Sequence, residues 1–158
     1  MELTLTLDEA LTVVRTLGLV PDGVEDVRAA GRTVTARVAV HELPGVPAAV
    51  RLATRLAGPV DARVEDLGVE GRTWRLSVEV RHPLAPLDLS GFVTEAVRGA
   101  ATSHLPPGVV AVASQEGTTR VAVDLDALGA RVVAPRVGLP VRVEDVALGE
   151  RIHVRATV

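Results

Sequence analysis

Apolar and polar residues alternate along three segments of the chain, and each segment ends in a valine. Gly31, Gly71 and Gly149 each stand nine residues before that valine. The alternating apolar positions are Val34, Ala36, Val38 and Val40 in the first copy, Trp74, Leu76, Val78 and Val80 in the second, and Ile152, Val154, Ala156 and Val158 in the third. Alternation with many β-branched residues is typical of a half-buried strand, so each segment predicts one strand of an antiparallel sheet.

A second apolar stretch precedes each glycine and predicts the partner strand of a β-hairpin. The parity of its alternation changes at a Glu-Asp pair, which begins at Glu25, at Glu65 and at Glu144. One extra residue in a strand has this effect, so we interpret each Val-Glu-Asp as a β-bulge that bends and twists the sheet. The alternative is that a strand ends there in a turn whose Asp side chain accepts backbone N–H groups.

Three stretches outside the predicted hairpins have the apolar spacing of helices. The first follows a short predicted strand at residues 2–7, and Thr6 and Glu9 have the spacing of a capping box at its start. The second lies between Pro47 and Gly58, and the third begins at Ser90, a favoured residue type for a helix N-cap. We interpret residues 126–138 as a short connection in place of a further helix.

The predicted elements occur twice in a similar order, with corresponding positions about eighty residues apart. We therefore predict an internal duplication into pseudo-repeats 1–83 and 84–158, with the junction near residues 84–89. Each hairpin alone would bury only one face, so both halves should share a core within a single domain. The predicted fold class is α+β, with a curved, mainly antiparallel sheet of about eight strands packed on two or three helices and pseudo-twofold symmetry.

The composition narrows the possible functions. Apolar residues make up 47% of the 158 residues and aromatic residues 1%, so the core must consist mainly of Val, Leu and Ala. All 17 basic residues are Arg, and lysine, asparagine and tyrosine are absent. The absent types have AT-rich codons, so the excess of arginine indicates a GC-rich genome and is no evidence of phosphate binding. The net charge of −3 argues against a nucleic-acid partner. We see neither a signal peptide nor a membrane span, and we expect a cytoplasmic location.

Residue types that could perform catalysis are scattered along the chain. The four histidines lack the spacing of a metal site, and no serine-nucleophile or phosphate-binding glycine motif occurs. The absence of cysteine excludes thiolate catalysis, disulfides and sulfur ligands. Asp124 and Asp126 flank Leu125 and could share a face, but solvation is the simpler interpretation. We therefore expect no enzymatic activity, no metal site and no cofactor.

The few large side chains mark a candidate ligand site. Trp74 holds the position that Val34 and Ile152 occupy in the other copies, and Phe92 begins the apolar stripe of the third helix. Both rings could simply fill the core, as buried aromatic side chains usually do. The functional alternative is an apolar pocket between sheet and helices. Its lining residues would be Leu52, Leu56, Trp74, Leu76, Phe92 and Val97.

Two runs near the end of the chain follow a strand-and-turn pattern, namely Asp124-Leu125-Asp126-Ala127-Leu128 and Gly138-Leu139-Pro140-Val141-Arg142-Val143. The segment that contains them, residues 121–158, resembles bacterial members of the tubular lipid-binding (TULIP) superfamily. Those proteins wrap a strongly curved antiparallel sheet around a long helix and hold lipid in the groove, so the resemblance implies a lipid-like ligand. This chain departs from that family in its shorter predicted helices and in showing no export signal, and the resemblance assigns no site residue.

Two functions of different classes follow from these observations. The first is non-enzymatic binding of an apolar or lipid-like ligand between sheet and helices. The alternative is a structural or interaction protein that self-associates through strand edges and has no small ligand. The last predicted strand ends at Val158 with no later element to shield its edge, so we expect a homodimer or a small closed oligomer.

Overall fold

The computed structural model of the protein describes residues 1–16, 18, 20–83 and 88–158. Within these ranges the strands are β1 (Glu2–Thr6), β2 (Val24–Ala30), β3 (Thr33–Val38), β4 (Val60–Glu70), β5 (Thr73–Arg81), β6 (Val110–Gln115), β7 (Thr118–Asp124), β8 (Arg142–Ala147) and β9 (Arg151–Thr157). The first three helices are α1 (Leu7–Thr16), α2 (Ala48–Ala57) and α3 (Ser90–His104). The last, α4, is one continuous run that is α-helical at Leu125–Leu128, π-helical at Gly129–Val133 and α-helical again at Ala134–Val137.

The strands form two antiparallel sheets that are curved and open. The larger sheet has six strands in the order β2-β3-β4-β5-β7-β6, and the smaller sheet has the order β1-β9-β8. The predicted α+β class with curved antiparallel pairing is therefore confirmed. The strands divide between two sheets because β8 and β9 pair with β1 and not with the end of the larger sheet.

Each copy of the repeated sequence pattern folds as a β-hairpin, with Gly31, Gly71 or Gly149 in its turn. The residue pairing shifts once within each hairpin, between Glu25 and Arg28, between Asp66 and Gly68, and between Val143 and Asp145. An extra residue in one strand produces such a shift. The bulge interpretation of the three Val-Glu-Asp segments is therefore confirmed, and the alternative that the strands end there in turns is wrong.

The hairpins of the two predicted halves occupy different positions. The β4–β5 hairpin lies in the centre of the larger sheet, whereas β8–β9 belongs to the smaller sheet. The predicted junction near residues 84–89 lies mostly outside the described residues. The duplication into 1–83 and 84–158 therefore stays a prediction.

Two helices differ from their sequence predictions. Residues 126–138, interpreted as a short connection, are helical through most of their length because Asp124 caps the start of α4 and Leu125 anchors it in the core. In α2, whose apolar spacing predicts a buried apolar face, the buried residue is the polar Thr54. Burial of this polar residue is possible because its hydroxyl donates to the carbonyl oxygen of Val50 at 2.8 Å.

The last strand, β9, is not an edge strand, so the expectation of an unshielded edge there was wrong. It lies between β8 and β1, and all five residues of β1 pair with it. Pairing between the two ends of the chain could not be inferred from the order of elements, because the partner strand is about 150 residues away along the chain. The outer strands of the smaller sheet are β1 and β8.

Three groups of buried residues form the core, and valine dominates all of them. The first core cluster is Val40, Val46 and Val60, the second is Val109, Val121 and Val123, and the third is Leu125, Val143 and Val146. Val69 and Trp74 of the larger sheet pack against the third cluster, in which Val143 and Val146 belong to β8. This cluster therefore connects the two sheets.

The contact between α4 and β8 depends on a glycine. A Cβ added at Gly129 would lie 2.5 Å from the carbonyl oxygen of Val141 and 3.2 Å from the backbone nitrogen of Val143. Val143 is paired within β8, and Val141 lies directly before that strand. Only a residue without a side chain allows this approach.

Gly129→Ala should therefore lower the free energy of unfolding by about 1–3 kcal/mol, because the added methyl group forces α4 away from β8. The matched control is Gly99→Ala, at an exposed position of α3 with open space around it. It should raise stability by about 1 kcal/mol because alanine favours helix. Urea unfolding followed by fluorescence of the single tryptophan measures both values. Equal stability of Gly129→Ala and the parent protein would contradict the close packing.

Candidate functional site

The six residues predicted to line one apolar pocket lie in three separate places. Leu52 and Leu56 are on the outer side of α2, where 62% and 82% of their surface is exposed. Phe92 packs against the first core cluster. Trp74, Leu76 and Val97 pack around the second. The structure brings only the last three together, and a ligand-binding role for the six residues stays a prediction.

Two clefts on the surface are lined by other residues. The larger, of about 580 Å³, crosses β2 to β5 and is lined by Asp26, Arg28, Thr35, Ala36, Arg37, Asp61, Ala62, Arg63, Glu79 and Arg81. The smaller, of about 230 Å³, lies between the end of α3 and β6. The alternating charges of the larger cleft suit water and polar groups better than an apolar ligand.

Asp66, at the bulge of β4, is a buried carboxylate that connects distant parts of the chain. One oxygen accepts hydrogen bonds from the N–H of Gly68 at 2.7 Å and from the indole N–H of Trp74 at 2.9 Å. The other oxygen accepts from the N–H of Leu148 at 2.9 Å. The guanidinium of Arg32 lies 3.3 Å away, and the side chain of Asp66 has no exposed surface. We call these five residues the Asp66 clasp.

The clasp joins two hairpin turns to the bulge of a third hairpin. Arg32 is in the turn between β2 and β3, Gly68 follows the bulge of β4, and Leu148 is in the turn between β8 and β9. The β2–β3 turn and the β8–β9 turn are in direct contact. They are so close that a Cβ on Gly149 would overlap the carbonyl oxygen of Gly31. The clasp therefore holds the smaller sheet against the larger one.

The clasp also keeps the carboxylate of Asp66 charged. Burial by itself raises the pKa of Asp66, but the hydrogen bonds from Leu148, Gly68 and Trp74 and the charge of Arg32 together outweigh it. The resulting pKa is below the ordinary value of 3.8. The ionised carboxylate accepts three N–H groups, so its charge stabilises the folded structure.

The acidic residues at the start of α4 are also engaged by neighbours. Asp124 accepts from the N–H of Ala127 at 2.9 Å, as an N-cap does. Asp126 lies 2.7 Å from Arg72 and 3.5 Å from Arg142. The hydrogen bond from Arg72 is the main reason that the pKa of Asp126 is lowered. Arg72 and Arg142 belong to the β4–β5 turn and to β8, so this pair of acids fixes α4 in place.

Two histidines contact neighbouring polar groups. The hydroxyl of Thr4 lies 3.1 Å from Nδ1 of His153 on the surface, and Nε2 of His82 lies 2.7 Å from the carbonyl oxygen of Ala57. Among the residues that the structure describes, no three His, Asp or Glu side chains are grouped so that they could hold a metal ion. No helix within these residues is long and apolar enough to cross a membrane.

Three of the four strands at sheet edges are protected from pairing with another chain. β2 is interrupted by its bulge and carries Glu25 and Arg28. On β6, Arg98 donates to the carbonyl oxygen of Val112 at 3.2 Å. On β8, Arg72 donates to the carbonyl oxygen of Val143, and α4 packs alongside. Bulges, charged residues and covering helices are common means of protecting an edge.

The fourth edge strand, β1, has no bulge, and Glu2 is its single charged residue. It contains neither proline nor a basic residue, its pairing with β9 has no register shift, and no strand in the described ranges pairs with its outer side. Met1 and Leu3 are 74% and 47% exposed. This combination of open backbone and exposed apolar side chains makes β1 the candidate interaction surface.

The hydrogen bonds of β1 show which backbone groups point outward. The amino nitrogen of Met1 donates to the carbonyl oxygen of Ala156 at 2.7 Å, and the N–H of Ala156 donates back at 2.9 Å. Hydrogen-bonded pairs alternate along an antiparallel ladder, so Leu3 and Leu5 also bond to β9. Glu2 and Thr4 therefore direct their N–H and C=O groups away from the sheet. We call these outward groups the β1 edge.

The capping box predicted from Thr6 and Glu9 is confirmed, and it closes one end of the β1 edge. The carboxylate of Glu9 accepts from the N–H of Thr6 at 2.8 Å, and the hydroxyl of Thr6 accepts from the N–H of Glu9 at 3.3 Å. The backbone hydrogen bond from Thr6 is the main cause that lowers the pKa of Glu9. The open part of the edge thus ends before Thr6.

Comparison with protein-family models, with curated proteins and with solved structures found no significant match. The resemblance of residues 121–158 to tubular lipid-binding proteins is therefore not tested by a relative.

Sequence reasoning missed both the Asp66 clasp and the β1 edge. The Glu-Asp pairs were recognised as bulges, but nothing in a strand pattern shows that only Asp66 is buried. One signal was present, because Asp66 alone is followed two residues later by glycine and eight residues later by tryptophan. For β1 the strand was predicted, but its position at an edge depends on its pairing with β9.

Asp66→Asn should lower the free energy of unfolding by about 3–5 kcal/mol, because an amide cannot accept all three N–H groups and leaves Arg32 without its partner. The matched control is Asp61→Asn, at an exposed position of the same strand, which should change stability by less than about 0.5 kcal/mol. Urea unfolding followed by Trp74 fluorescence measures both. Similar stability of the two variants would contradict the role of the clasp.

The same variant should alter the response to acid. The folded-state pKa of Asp66 is depressed, so its stabilising contribution is fully present above the unfolded-state value near 3.8 and is lost as the pH falls through the lower folded value. The free energy of unfolding should therefore decrease more steeply below about pH 4 in the parent than in Asp66→Asn. Glu9, Asp88 and Asp126, whose pKa values are also lowered, are common to both proteins. Parallel pH profiles would rule out a depressed pKa at Asp66.

Proposed function

We propose that this chain is a non-enzymatic interaction protein that forms a homodimer through the β1 edge. The observation that carries the proposal is the open backbone at Glu2 and Thr4, with the exposed side chains of Met1 and Leu3 beside it. An unpaired edge is a template for another strand. A second copy of the chain offers the same edge, and twofold dimers are the commonest oligomers.

The contrast between the edges supports this choice of surface. A bulge, an arginine side chain and a covering helix protect β2, β6 and β8, so pairing of these strands with another chain would require existing contacts to break. Pairing through β1 breaks no contact that involves Glu2 or Thr4 backbone groups. The free energy of association therefore favours β1.

The carboxylates of the chain support a function without catalysis. Asp66 accepts three N–H groups in the core, and Asp124 and Asp126 hold α4 to its neighbours. Each of these acids already has a partner that stabilises its charge. A general base needs a carboxylate that can reach and accept a substrate proton.

Binding of an apolar or lipid-like ligand, as the resemblance to tubular lipid-binding proteins implies, has less support. The proposed lining residues are distributed over three places, and Leu52 and Leu56 lie on the surface of α2. Neither of the two clefts is lined by any of the six. Self-association is therefore the function that this geometry favours.

Proline at position 4 provides the test. The N–H of Thr4 points outward, so Thr4→Pro should keep the pairing with β9 while removing a donor from the β1 edge, as proline does on edge strands. The matched control, Thr4→Val, keeps the N–H and loses only the hydroxyl contact with His153. In light scattering of tag-free protein at micromolar concentration, the parent and Thr4→Val should be dimers and Thr4→Pro a monomer.

Melting curves of all three proteins serve as the control for folding, and they should lie within a few degrees of each other when compared at a concentration where all are monomeric. A monomeric parent would contradict the proposed function. A dimeric Thr4→Pro with an intact fold would show that association uses another surface.

A further inference from the structure

The free hydrogen-bonding groups of the β1 edge restrict the register in which two copies can pair. Glu2 and Thr4 each present one N–H and one C=O outward, as derived above. Thr6 also directs its backbone groups away from β9, but its N–H already donates to the carboxylate of Glu9 at 2.8 Å. Its carbonyl precedes α1 and accepts the first hydrogen bond of that helix, as the carbonyl of an N-cap residue does. Both backbone groups of Thr6 are therefore occupied.

A register centred on Thr4 would use these occupied groups. Thr4 would face the partner's Thr4 and exchange two hydrogen bonds with it. Glu2 would face the partner's Thr6, whose N–H and C=O are both engaged, so the backbone groups of Glu2 would stay unpaired. The start of α1 at Leu7 would also lie directly beside the incoming strand. This register leaves half of the open edge without partners.

A register centred on Leu3 uses every free group. Glu2 then faces the partner's Thr4 and exchanges two hydrogen bonds, and the symmetric pair exchanges two more. Leu3 faces the partner's Leu3 as a non-hydrogen-bonded pair, in which the side chains approach most closely. Met1 faces the partner's Leu5. The open edge ends where the helices begin, so the two copies of α1 lie at opposite ends of the paired strands.

The side chains also suit the register centred on Leu3. Leu3 and Leu5 share the face of Val154 and Ile152, with which they are paired in β9, so the new contacts extend an existing apolar face. Met1 and Leu3, which are exposed in the single chain, become covered at the dimer axis. On the opposite face, Glu2 meets a threonine and not a second carboxylate. No like charges stand directly opposite each other, a condition that cross-strand pairing requires.

We propose that two copies of this chain pair through antiparallel β1 strands about a twofold axis at Leu3, which joins their smaller sheets into one continuous sheet of six strands. The order across this sheet is β8-β9-β1 in one protomer followed by β1-β9-β8 in its partner. The inference rests on the proposed function, because it specifies the register of the same interface. A second copy is the partner because the open groups and the apolar side chains are complementary to themselves.

The absence of cysteine from the chain allows a direct test of the register by disulfide formation. A disulfide requires Cα atoms within about 7 Å of each other. In the proposed register only Leu3 meets its own copy at this distance, while the two copies of Thr4 or of Leu5 are displaced along the strands by two and four residues. The variants are Leu3→Cys, Thr4→Cys and Leu5→Cys, made one at a time in tag-free protein.

Under mild oxidation, Leu3→Cys should convert almost completely to a covalent dimer, and the other two should remain largely uncrosslinked. Mass spectrometry and non-reducing electrophoresis measure the yield, and light scattering of the reduced proteins measures the non-covalent dimer. Preferential crosslinking of Thr4→Cys or Leu5→Cys would overturn the register centred on Leu3. Failure of all three to crosslink, with a dimeric parent, would also overturn it while leaving self-association intact. A monomeric parent would overturn both proposals.

A pair of charge variants provides a second test that does not depend on oxidation. Leu3→Asp and Leu3→Arg each place two like charges at the dimer axis, so each variant alone should be monomeric. Mixed in equal amounts they should form a heterodimer, because the Asp of one protomer then faces the Arg of its partner. Thr4→Asp mixed with Thr4→Arg is the control, since the two copies of position 4 do not face each other. Association of neither mixture, or of the Thr4 mixture alone, would overturn the axis at Leu3.

Discussion

The buried carboxylate of Asp66 is the interaction on which the rest of the structure depends. Removal of a charged group from water costs several kcal/mol unless hydrogen bonds and an opposite charge compensate for it. Here the compensation comes from three hairpins at once, through Arg32, Gly68 with Trp74, and Leu148. None of these segments can move away without leaving the charge unpaired. One side chain therefore fixes the position of the smaller sheet on the larger.

The position of the smaller sheet in turn decides which strand edge stays open. With the β8–β9 turn held at Asp66, β8 lies beside α4 and Arg72, which cover its outer side. The strand at the other side of that sheet is β1, and its outward groups at Glu2 and Thr4 meet no neighbour among the described residues. The position of the proposed interaction surface thus follows from the contacts that hold the smaller sheet on the larger one.

Much of the fold could be predicted because its determinants are local. Alternation of apolar residues specifies a half-buried strand wherever it lies. A change of parity requires an extra residue, so the three bulges were predictable from Val-Glu-Asp alone. The capping box at Thr6 and Glu9 was predictable for the same reason, since its donors and acceptors lie within one helical turn. These features depend on neighbours a few residues away, and the structure confirms them.

The sequence by itself therefore determined the hairpins, the bulges and the start of α1, while the tertiary structure alone decided which elements meet. Three Glu-Asp pairs look alike in sequence, and only the docking of the β8–β9 turn makes Asp66 a buried acceptor. Leu52 and Leu56 were predicted to line an apolar pocket, but α2 buries Thr54 and leaves both leucines facing solvent. The sequence predicted an open edge at β9, but β1, from the other end of the chain, pairs with that strand. Contacts between residues far apart in sequence depend on how the sheets pack, and no local pattern encodes that packing.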